Sequence, residues 1–430
     1  MTGLSHGLFS PLPDEARKTL ARLPRLINET FPLPTRFRTA LPHDVADLSR
    51  LLTSGRKERG ASYLGRPALL SAYLRYFLPW NIFRLCRLFC ALPLELKPGD
   101  AVNDLGAGPL TLAASLWISR PDLRSFPLEF RCLDKTAAVL EAGKKFFIAL
   151  APNSLWTVRT ICGELRTRSS LSVEIRGKPA ALSAAVNVYN ELFWNLSPLD
   201  EDGLNHFAES HARLLSSITD NAGSVLVVEP GIPRSGEFIS LLRHFLAEEG
   251  RFPISPCTHS GTCPLPGGLG KSRSENHAKT RAAVKARATI KARWCHFAFD
   301  TEDAPKELHS LSAAARIPKE RAVLSFILAG PLPSVGNSKA SHDKASHTAA
   351  ANPEKIRVIS DCFPVGENSS AGKPRRENTW GRYGCSKRGL VLVTGSRRNI
   401  EAAHSGALEE LTFTSGAVDA KSGAFIANKS

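Results

Sequence analysis

Three cysteines in the second half of the chain have the residue type and spacing to do chemistry. Cys257 and Cys263 lie in SPCTHSGTCPL, and Cys295 follows in RWCHF. The prolines, glycines and histidines around them indicate turns rather than core strands. Such thiols can bind zinc or an iron–sulfur cluster, attack a substrate as nucleophiles, or fill a core as free thiols. Their spacing leaves all three interpretations open.

A four-cysteine metal site would need one more ligand. Cys385, in RYGCSKRGL, is the best candidate, and Cys362 is the alternative. His259 and His296 lie beside the thiols and could complete a mixed zinc site instead. The gap between the first two cysteines is wider than in common zinc modules, so spacing does not choose between iron–sulfur and zinc.

Chain order weakens the nucleophilic interpretation. The pair Pro256-Cys257 is similar to the Pro-Cys of pyrimidine C5 methyltransferases, whose thiolate attacks the base. That class has an acidic residue before its Pro-Cys, directly after the fourth strand. Here Ser255 occupies that position, and the segment follows the fifth predicted strand and its helix.

A glycine-rich loop, VNDLGAGPLTLAASLW, follows the first predicted strand and opens a helix. Gly106 and Gly108 allow a sharp turn and a close approach of a ligand to the backbone. Thr111 replaces the third glycine of the dinucleotide fingerprint, so an NAD pyrophosphate site is disfavoured. With Asp104, the form D-x-G-x-G resembles motif I of class I S-adenosylmethionine-dependent methyltransferases.

Two further polar positions follow later strands. Asp134 ends the strand of LEFRCLDKT, where an acid can accept hydrogen bonds from both ribose hydroxyls of a nucleoside or can cap the next helix. Asn190 and Glu191, in NVYNELFWNL, follow the predicted fourth strand and could contact cofactor or substrate, or cap a helix. The Asn/Asp-Pro-Pro-aromatic signature of methyltransferases of exocyclic amines is missing, and no catalytic residue is identified.

The charge of the chain predicts a polyanionic partner. The formal net charge is +16, and eight Lys or Arg residues stand against one acid in the basic stretch 271–293. A solvated loop is the alternative for this stretch. Nine scattered cysteines favour a reducing compartment. The most apolar run, YLRYFLPWNIFRLCRLFCALPL, carries three arginines and a mid-run proline, so no membrane association is expected.

Short apolar runs alternate with amphipathic runs over much of the chain, which favours an α/β fold with a parallel sheet. The predicted organisation has an N-terminal helical region at 1–95 and a main domain at 96–330 that includes the cysteine-rich loops and the basic stretch. A flexible insertion is predicted at 331–380, a short strand segment with Cys385 at 381–400, and a tail at 401–430.

The series VEPGIPRSGEFISLLR, SPCTHSGTCPL and WCHF resembles the methyltransferase-like proteins that assemble the small ribosomal subunit of mitochondria and their bacterial relatives. This resemblance, over roughly 40–330, implies a Rossmann-like class I methyltransferase domain with a cysteine-rich metal-binding insertion. It also implies a 4Fe–4S cluster, with zinc as the alternative, on Cys257, Cys263, Cys295 and Cys385. The cofactor residues would be Asp104, Gly106, Gly108, Asp134 and Asn190, with S-adenosylmethionine as the ligand.

The expected function is binding of small-subunit ribosomal RNA during subunit assembly, by a monomer. A catalytically active ribosomal RNA methyltransferase is one alternative, and a non-enzymatic, ribosome-associated zinc protein is another. The expected compartment is a bacterial cytoplasm, because the N-terminus carries Asp14 and Glu15 among its arginines and is a weak presequence. The mitochondrial matrix is the alternative.

Overall fold

The computed structural model describes residues 7–55, 58, 63–166, 170–193, 201–265, 294–332, 353–365, 379–413 and 416–429. The basic stretch 271–293 lies outside the described residues, so its predicted role as an RNA-contacting arm stays a prediction.

The N-terminal region is helical, as predicted. Its apolar residues recur at helical spacing, so that Leu20, Leu23 and Ile27 of the first helix are buried on one side. A π-helical turn at Tyr73–Phe77 leads directly into the last helix of the region, which is buried almost throughout. The helices are α1 (Asp14–Thr30), α2 (Thr35–Arg38), α3 (Leu41–Leu52), α4 (Pro67–Ala72) and α5 (Leu78–Phe89).

The main sheet has the strand order β3-β2-β1-β4-β5-β8-β6, and β7 pairs with β8 at one end. Strands β1 to β5 are parallel, and β8 runs antiparallel to β5. The strands are β1 (Ala101–Leu105), β2 (Glu129–Asp134), β3 (Thr157–Cys162), β4 (Ala180–Val186), β5 (Thr219–Pro230), β6 (Phe252–Ser255), β7 (Phe297–Asp300) and β8 (Arg321–Gly330).

Helices cover both faces of this sheet, so its central strands are buried on both sides. Val102 of β1 belongs to the core shared with α5 and the helix after β1, whereas Leu105 belongs to the core on the opposite face. The helices are α6 (Thr111–Ser119), α7 (Ala137–Leu150), α8 (Val173–Arg176), α9 (Tyr189–Leu192), α10 (Glu201–Ser217), α11 (Pro233–Glu248) and α12 (Lys306–Ala314). The predicted α/β, Rossmann-like fold, in which helices cover a mainly parallel sheet, is confirmed.

The end of the chain forms a second sheet. It includes residues 354–358 and 363–364 of the predicted flexible insertion at 331–380 and residues 408–411 and 425–429 of the predicted tail at 401–430, which corrects the prediction at these residues. Residues 333–352 and 366–378 lie outside the described residues, so their predicted flexibility stays a prediction. The strand order is β13-β9-β11-β12-β14, with β10 against β11 and with β12 and β14 parallel. The elements are β9 (Glu354–Val358), β10 (Phe363–Pro364), β11 (Trp380–Ser386), β12 (Gly389–Gly395), α13 (Arg397–Glu401), β13 (Leu408–Leu411) and β14 (Phe425–Lys429).

The physical reason for this difference is that the second core collects single apolar residues from distant short strands. Ile356, Val393, Ile400 and Ala427 are buried together, although none of them stands in a long apolar run. Arg382 is fully buried beside them and is paired with Glu409, an arrangement that sequence patterning cannot indicate.

Candidate functional site

A cavity of about 820 Å³ opens at the carboxyl ends of β1 to β4. Ligands of open α/β sheets bind at this edge, and the volume is that of a small-molecule site. The lining comes from the loops after these four strands, from α10, and from Tyr63, Leu64 and Tyr73 of the N-terminal region. Four of the five predicted cofactor residues line it, namely Asp104, Gly106, Gly108 and Asp134.

The glycine loop is shaped by close packing as well as by backbone conformation. Gly106 has φ +72°, and a Cβ there would lie 2.4 Å from Val188 Cγ2. Gly108 has φ +52° and open space around it. Gly143 of α7 lets the helix pack against the loop, because a Cβ there would lie 2.5 Å from the carbonyl carbon of Pro109. The loop therefore keeps its backbone open to the cavity.

Asp134 joins the glycine loop to the start of α7. Its Oδ2 accepts a hydrogen bond from the backbone N–H of Gly108 at 3.0 Å, and its Oδ1 accepts one from Thr136 at 2.9 Å. Burial raises the pKa of Asp134, and these two N–H donors oppose that shift. Each carboxylate oxygen retains acceptor capacity, so Asp134 can cap the helix and still accept from ribose hydroxyls.

Asp104 is buried at the base of the same loop and is only 1% exposed. Burial, reinforced by the charge of Asp134, raises the pKa of Asp104 to about 8. Its Oδ2 is buried and has no hydrogen-bond partner among the described residues. An unpaired polar atom of this kind beside a cavity fits a ligand with a polar group.

Asn190 is not among the residues that line the cavity. It is 8% exposed, and its backbone N–H donates to Glu229 Oε2 at 3.0 Å. Glu229 also accepts from the N–H of Tyr189 and holds the first turn of α9, and burial raises its pKa to about 8. Asn187, which does line the cavity, accepts from Arg84 Nη2 at 2.6 Å through its Oδ1.

Sequence reasoning missed Glu229 and Arg84. The signal for Glu229 is one acid at the end of the apolar strand SVLVVEP, which is unusual in a buried parallel strand. No sequence signal joins Arg84 to Asn187, because the two residues are 103 positions apart. Burial lowers the pKa of Arg84 to about 10, and Glu229 opposes that shift.

The cysteine loop lies at another place in the fold, between β6, α11 and the second sheet. Arg243 of α11 is 5% exposed and donates through Nε to Cys257 Sγ at 3.2 Å. The same guanidinium donates to the carbonyl oxygens of His259 and Gly261. Burial alone would lower the pKa of Arg243, but the thiols of Cys257 and Cys263 raise it.

The structure brings the four predicted metal ligands together. Burial raises the pKa of Cys263, with Cys257 adding to the shift. Burial and both of these thiols also raise the pKa of Cys295, and burial with the three other thiols raises that of Cys385. Cys385, on β11, lies 3.5 Å through Sγ from His259 Nε2. His259 Nδ1 is buried without a partner among the described residues.

Cys362 is placed elsewhere, beside the core of the second sheet. In the described part of the chain, no three His, Cys, Asp or Glu side chains converge closely enough to hold a metal ion as they stand. The four thiols are therefore neighbours rather than a preformed coordination shell.

No family model and no curated protein matches the chain. Similar solved structures include S-adenosylmethionine-dependent methyltransferases from Thiobacillus denitrificans and Geobacter sulfurreducens, both in complex with S-adenosylhomocysteine. Their identities are 15% and 14%; each match covers 59% of this chain and 91% of that chain, with a TM-score of 0.28. A methyltransferase from Pyrococcus furiosus is 11% identical over 39% of this chain and 73% of that chain, with a TM-score of 0.27.

Across the described ranges, no helix is both long and apolar enough to cross a membrane.

Proposed function

We propose that the chain is a class I methyltransferase-like protein that binds S-adenosylmethionine in the cavity at the ends of β1 to β4. The observation that carries this proposal is the contact between Asp134 and the glycine loop at the cavity edge. The residues fit this cofactor, because Gly108 leaves open space at the cavity that a Cβ would fill and Asp104 keeps an unpaired buried oxygen. When bound, S-adenosylmethionine supplies an activated methyl group on a sulfonium centre.

Titration calorimetry of the whole protein with S-adenosylmethionine and S-adenosylhomocysteine tests this proposal. Asp134→Asn replaces one acceptor oxygen by a donor, so it should weaken the binding of both ligands by about tenfold or more. Asp122→Asn is the matched control, because Asp122 is exposed and pairs with Arg120 outside the cavity. Absence of binding to the unsubstituted protein would overturn the proposal.

The second part of the proposal is a metal group on Cys257, Cys263, Cys295 and Cys385, namely a 4Fe–4S cluster, with zinc as the alternative. Support comes from Arg243, which donates to Cys257 Sγ and whose charge interacts with all four thiols, so that they lie in one region of the fold. Such a group, when bound, supplies a structural crosslink between the cysteine loop and β11.

Anaerobic purification with iron, sulfide and zinc determination tests this part. Cys385→Ser should lower the metal content, whereas Cys362→Ser should leave it unchanged, because Cys362 lies apart from the other thiols. The proposal is rejected if the protein contains neither metal, or if the two variants lose metal equally.

The proposed partner is small-subunit ribosomal RNA during subunit assembly, in a bacterial cytoplasm, with the mitochondrial matrix as the alternative. The net charge of +16 supports a polyanionic partner. Binding to small-subunit RNA should weaken steeply between low and physiological salt. Tight binding that does not depend on salt, or no binding at low salt, would contradict this partner.

Methyl transfer to ribosomal RNA is a second candidate function. It is favoured by polar side chains in the cavity wall. Tyr63 donates to Glu191 Oε1 at 3.2 Å, and both residues line the cavity together with Tyr73. These polar groups could orient a methyl acceptor. Mass spectrometry of ribosomal RNA from cells carrying Asp134→Asn tests it, because the loss of one methylated nucleotide is the expected result.

A further inference from the structure

Lys319 is a half-buried lysine at the carboxyl edge of the main sheet. It lies two residues before β8, which begins beside the carboxyl end of β5, where Leu324 pairs with Pro230. Its ammonium lies over the Trp80 ring, 6.0 Å from the centroid. Lys319 Nζ makes no hydrogen bond or ion pair with any residue that the structure describes. The ammonium therefore has its three N–H donors available for a ligand.

The backbone around Lys319 is held by hydrogen bonds from two other elements. Tyr76 Oη donates to the Ile317 carbonyl at 3.2 Å, and the Thr301 hydroxyl donates to the Lys319 carbonyl. The Thr301 N–H donates to the Glu320 carbonyl at 3.2 Å. The ammonium is thus carried by a fixed loop, which lowers the entropic cost of binding a ligand.

Arg84 adds a second positive charge to this edge and connects it to the cavity. Its Nη1 donates to the Val323 carbonyl of β8 at 3.3 Å, and its Nη2 donates to Oδ1 of the cavity residue Asn187. Burial, together with the charge of Arg84, lowers the pKa of Lys319 to about 8. An anion bound at this edge would oppose both causes and favour the charged form of Lys319.

We propose that Lys319 binds a phosphate group of the RNA beside the cavity, and that Arg84 supplies a second, fixed positive charge there. This inference rests on the proposed function, and it places part of the RNA at the carboxyl edge formed by β5, β8 and α5. A lysine ammonium binds phosphate through charge-assisted hydrogen bonds. The net charge of +16 favours a polyanion over a single carboxylate as the source of the anion.

Acetylation of lysines on the full chain, followed by mass spectrometry, tests the contact directly. A bound phosphate should raise the pKa of Lys319 by about one unit, so a short oligouridine at low salt should slow its acetylation about tenfold near neutral pH. Lys97 is the matched control, because it is exposed and lies four residues before β1, at the opposite edge of the sheet. Its acetylation should not change.

Inorganic phosphate is the second probe, and it distinguishes a free anion from RNA. The inference predicts protection of Lys319 by oligouridine at concentrations where inorganic phosphate protects little, because a polyanion is held by several contacts at once. Protection by inorganic phosphate without protection by oligouridine would overturn the assignment to RNA.

Substitution of Lys319 tests the same contact through the salt dependence of binding. Lys319→Met keeps an apolar stem over Trp80 and removes the charge. The slope of log affinity for oligouridine against log salt should become shallower by about 0.7, the value for one single-stranded phosphate contact. Lys319→Arg should keep the original slope, and Lys97→Met is the control. Calorimetry should find S-adenosylhomocysteine binding unchanged in all three variants.

The inference is overturned if oligouridine leaves the acetylation of Lys319 unchanged, or if Lys319→Met and Lys97→Met have the same salt slope. If the unsubstituted protein does not bind oligouridine at low salt, the RNA part of the proposed function fails as well. The two failures are therefore distinguishable.

Discussion

At the scale of single residues, Gly106 shows how a motif position depends on a distant neighbour. Its φ of +72° already disfavours a side chain, and Val188 occupies the space a Cβ would need. We expect Gly106→Ala to destabilise the protein by about 2–4 kcal/mol from backbone strain and overpacking together. It should also weaken the binding of S-adenosylhomocysteine, because the loop must shift away from Val188. Chemical denaturation and calorimetry measure the two effects.

Gly99→Ala is the matched control for this prediction. Gly99 has φ +88° and nothing within 4 Å of a Cβ, so it carries the backbone penalty without the clash. Equal losses of stability for the two variants would show that the clash with Val188 adds nothing to the backbone penalty.

The buried carboxyl of Asp104 predicts a pH dependence of stability. Its pKa is about 8 in the folded protein, raised first by burial and then by Asp134, against an ordinary value of 3.8. Between these values the folded state binds the proton and the unfolded state does not, so stability falls as pH rises from about 4 to about 8. Glu229, with a pKa of about 8, adds a similar decline.

We therefore expect Asp104→Asn to lose less stability than the unsubstituted protein between pH 5 and pH 8, measured by urea denaturation. Asp122→Asn is the control; the Arg120 side chain, through its hydrogen bond, lowers the pKa of Asp122, so this variant should keep the original decline. A slope in Asp104→Asn identical to that of the unsubstituted protein would contradict the prediction.

Motif spacing in the sequence was enough to predict part of the candidate site. Gly106, Gly108 and Asp134 could be chosen because glycines after a strand and an acid ending the next strand have direct physical roles. Asn190 and Glu191 were chosen on their position after β4; Glu191 lines the cavity together with Asn187, whereas Asn190 does not.

At the scale of elements, helix α11 and the segment before β7 fit together through one glycine. A Cβ at Gly236 would lie 2.5 Å from Trp294 Cδ1. The Trp294 indole N–H donates to the carbonyl of Gly231 at 3.0 Å, which fixes the residue next to Cys295. Gly236→Ala should therefore displace the Cys295 segment and lower the metal content, while binding of S-adenosylhomocysteine persists.

Gly250→Ala is the control at the other end of α11. Gly250 has φ +78° and no atom within 4 Å of a Cβ, and it lies away from Trp294. Metal analysis should find its content close to that of the unsubstituted protein. A normal metal content in Gly236→Ala would show that the packing of Trp294 does not position Cys295.

Alternation of apolar and amphipathic runs was enough to predict β1, β2, β4 and β5, because buried parallel strands are largely apolar. It did not single out β3, which is half polar and lies at the edge of the sheet. The antiparallel placement of β8 between β5 and β6 could not be inferred, since local patterning carries no strand order. The second sheet was missed because β9 and β13 are short and half polar, and they acquire a core only by pairing across about fifty residues.

At the scale of the whole molecule, the second sheet is attached to the cysteine loop. Arg357 of β9 is 7% exposed and donates to the Pro256 carbonyl at 3.0 Å and to the Gly406 carbonyl at 2.8 Å. Arg357→Met should loosen this attachment, because it leaves the buried Pro256 carbonyl without its donor, whereas the Gly406 carbonyl still accepts from the Leu8 N–H. Faster hydrogen exchange in β11 and β12 and a lower metal content are the expected results.

Arg321→Met is the control for this attachment. Arg321 pairs with Asp361 at the surface, and exposed ion pairs of this kind contribute little to stability. If Arg321→Met changed exchange in β11 and β12 as much as Arg357→Met, the buried contact to Pro256 would not be the principal attachment.

The central claim is that S-adenosylmethionine or its product binds at the carboxyl ends of β1 to β4. Hydrogen exchange with and without S-adenosylhomocysteine locates the ligand most directly. The account predicts slower exchange in the glycine loop at 105–111, at 133–137 and at 163–166, and unchanged exchange in β12. Protection confined to the second sheet, or no change anywhere, would contradict it.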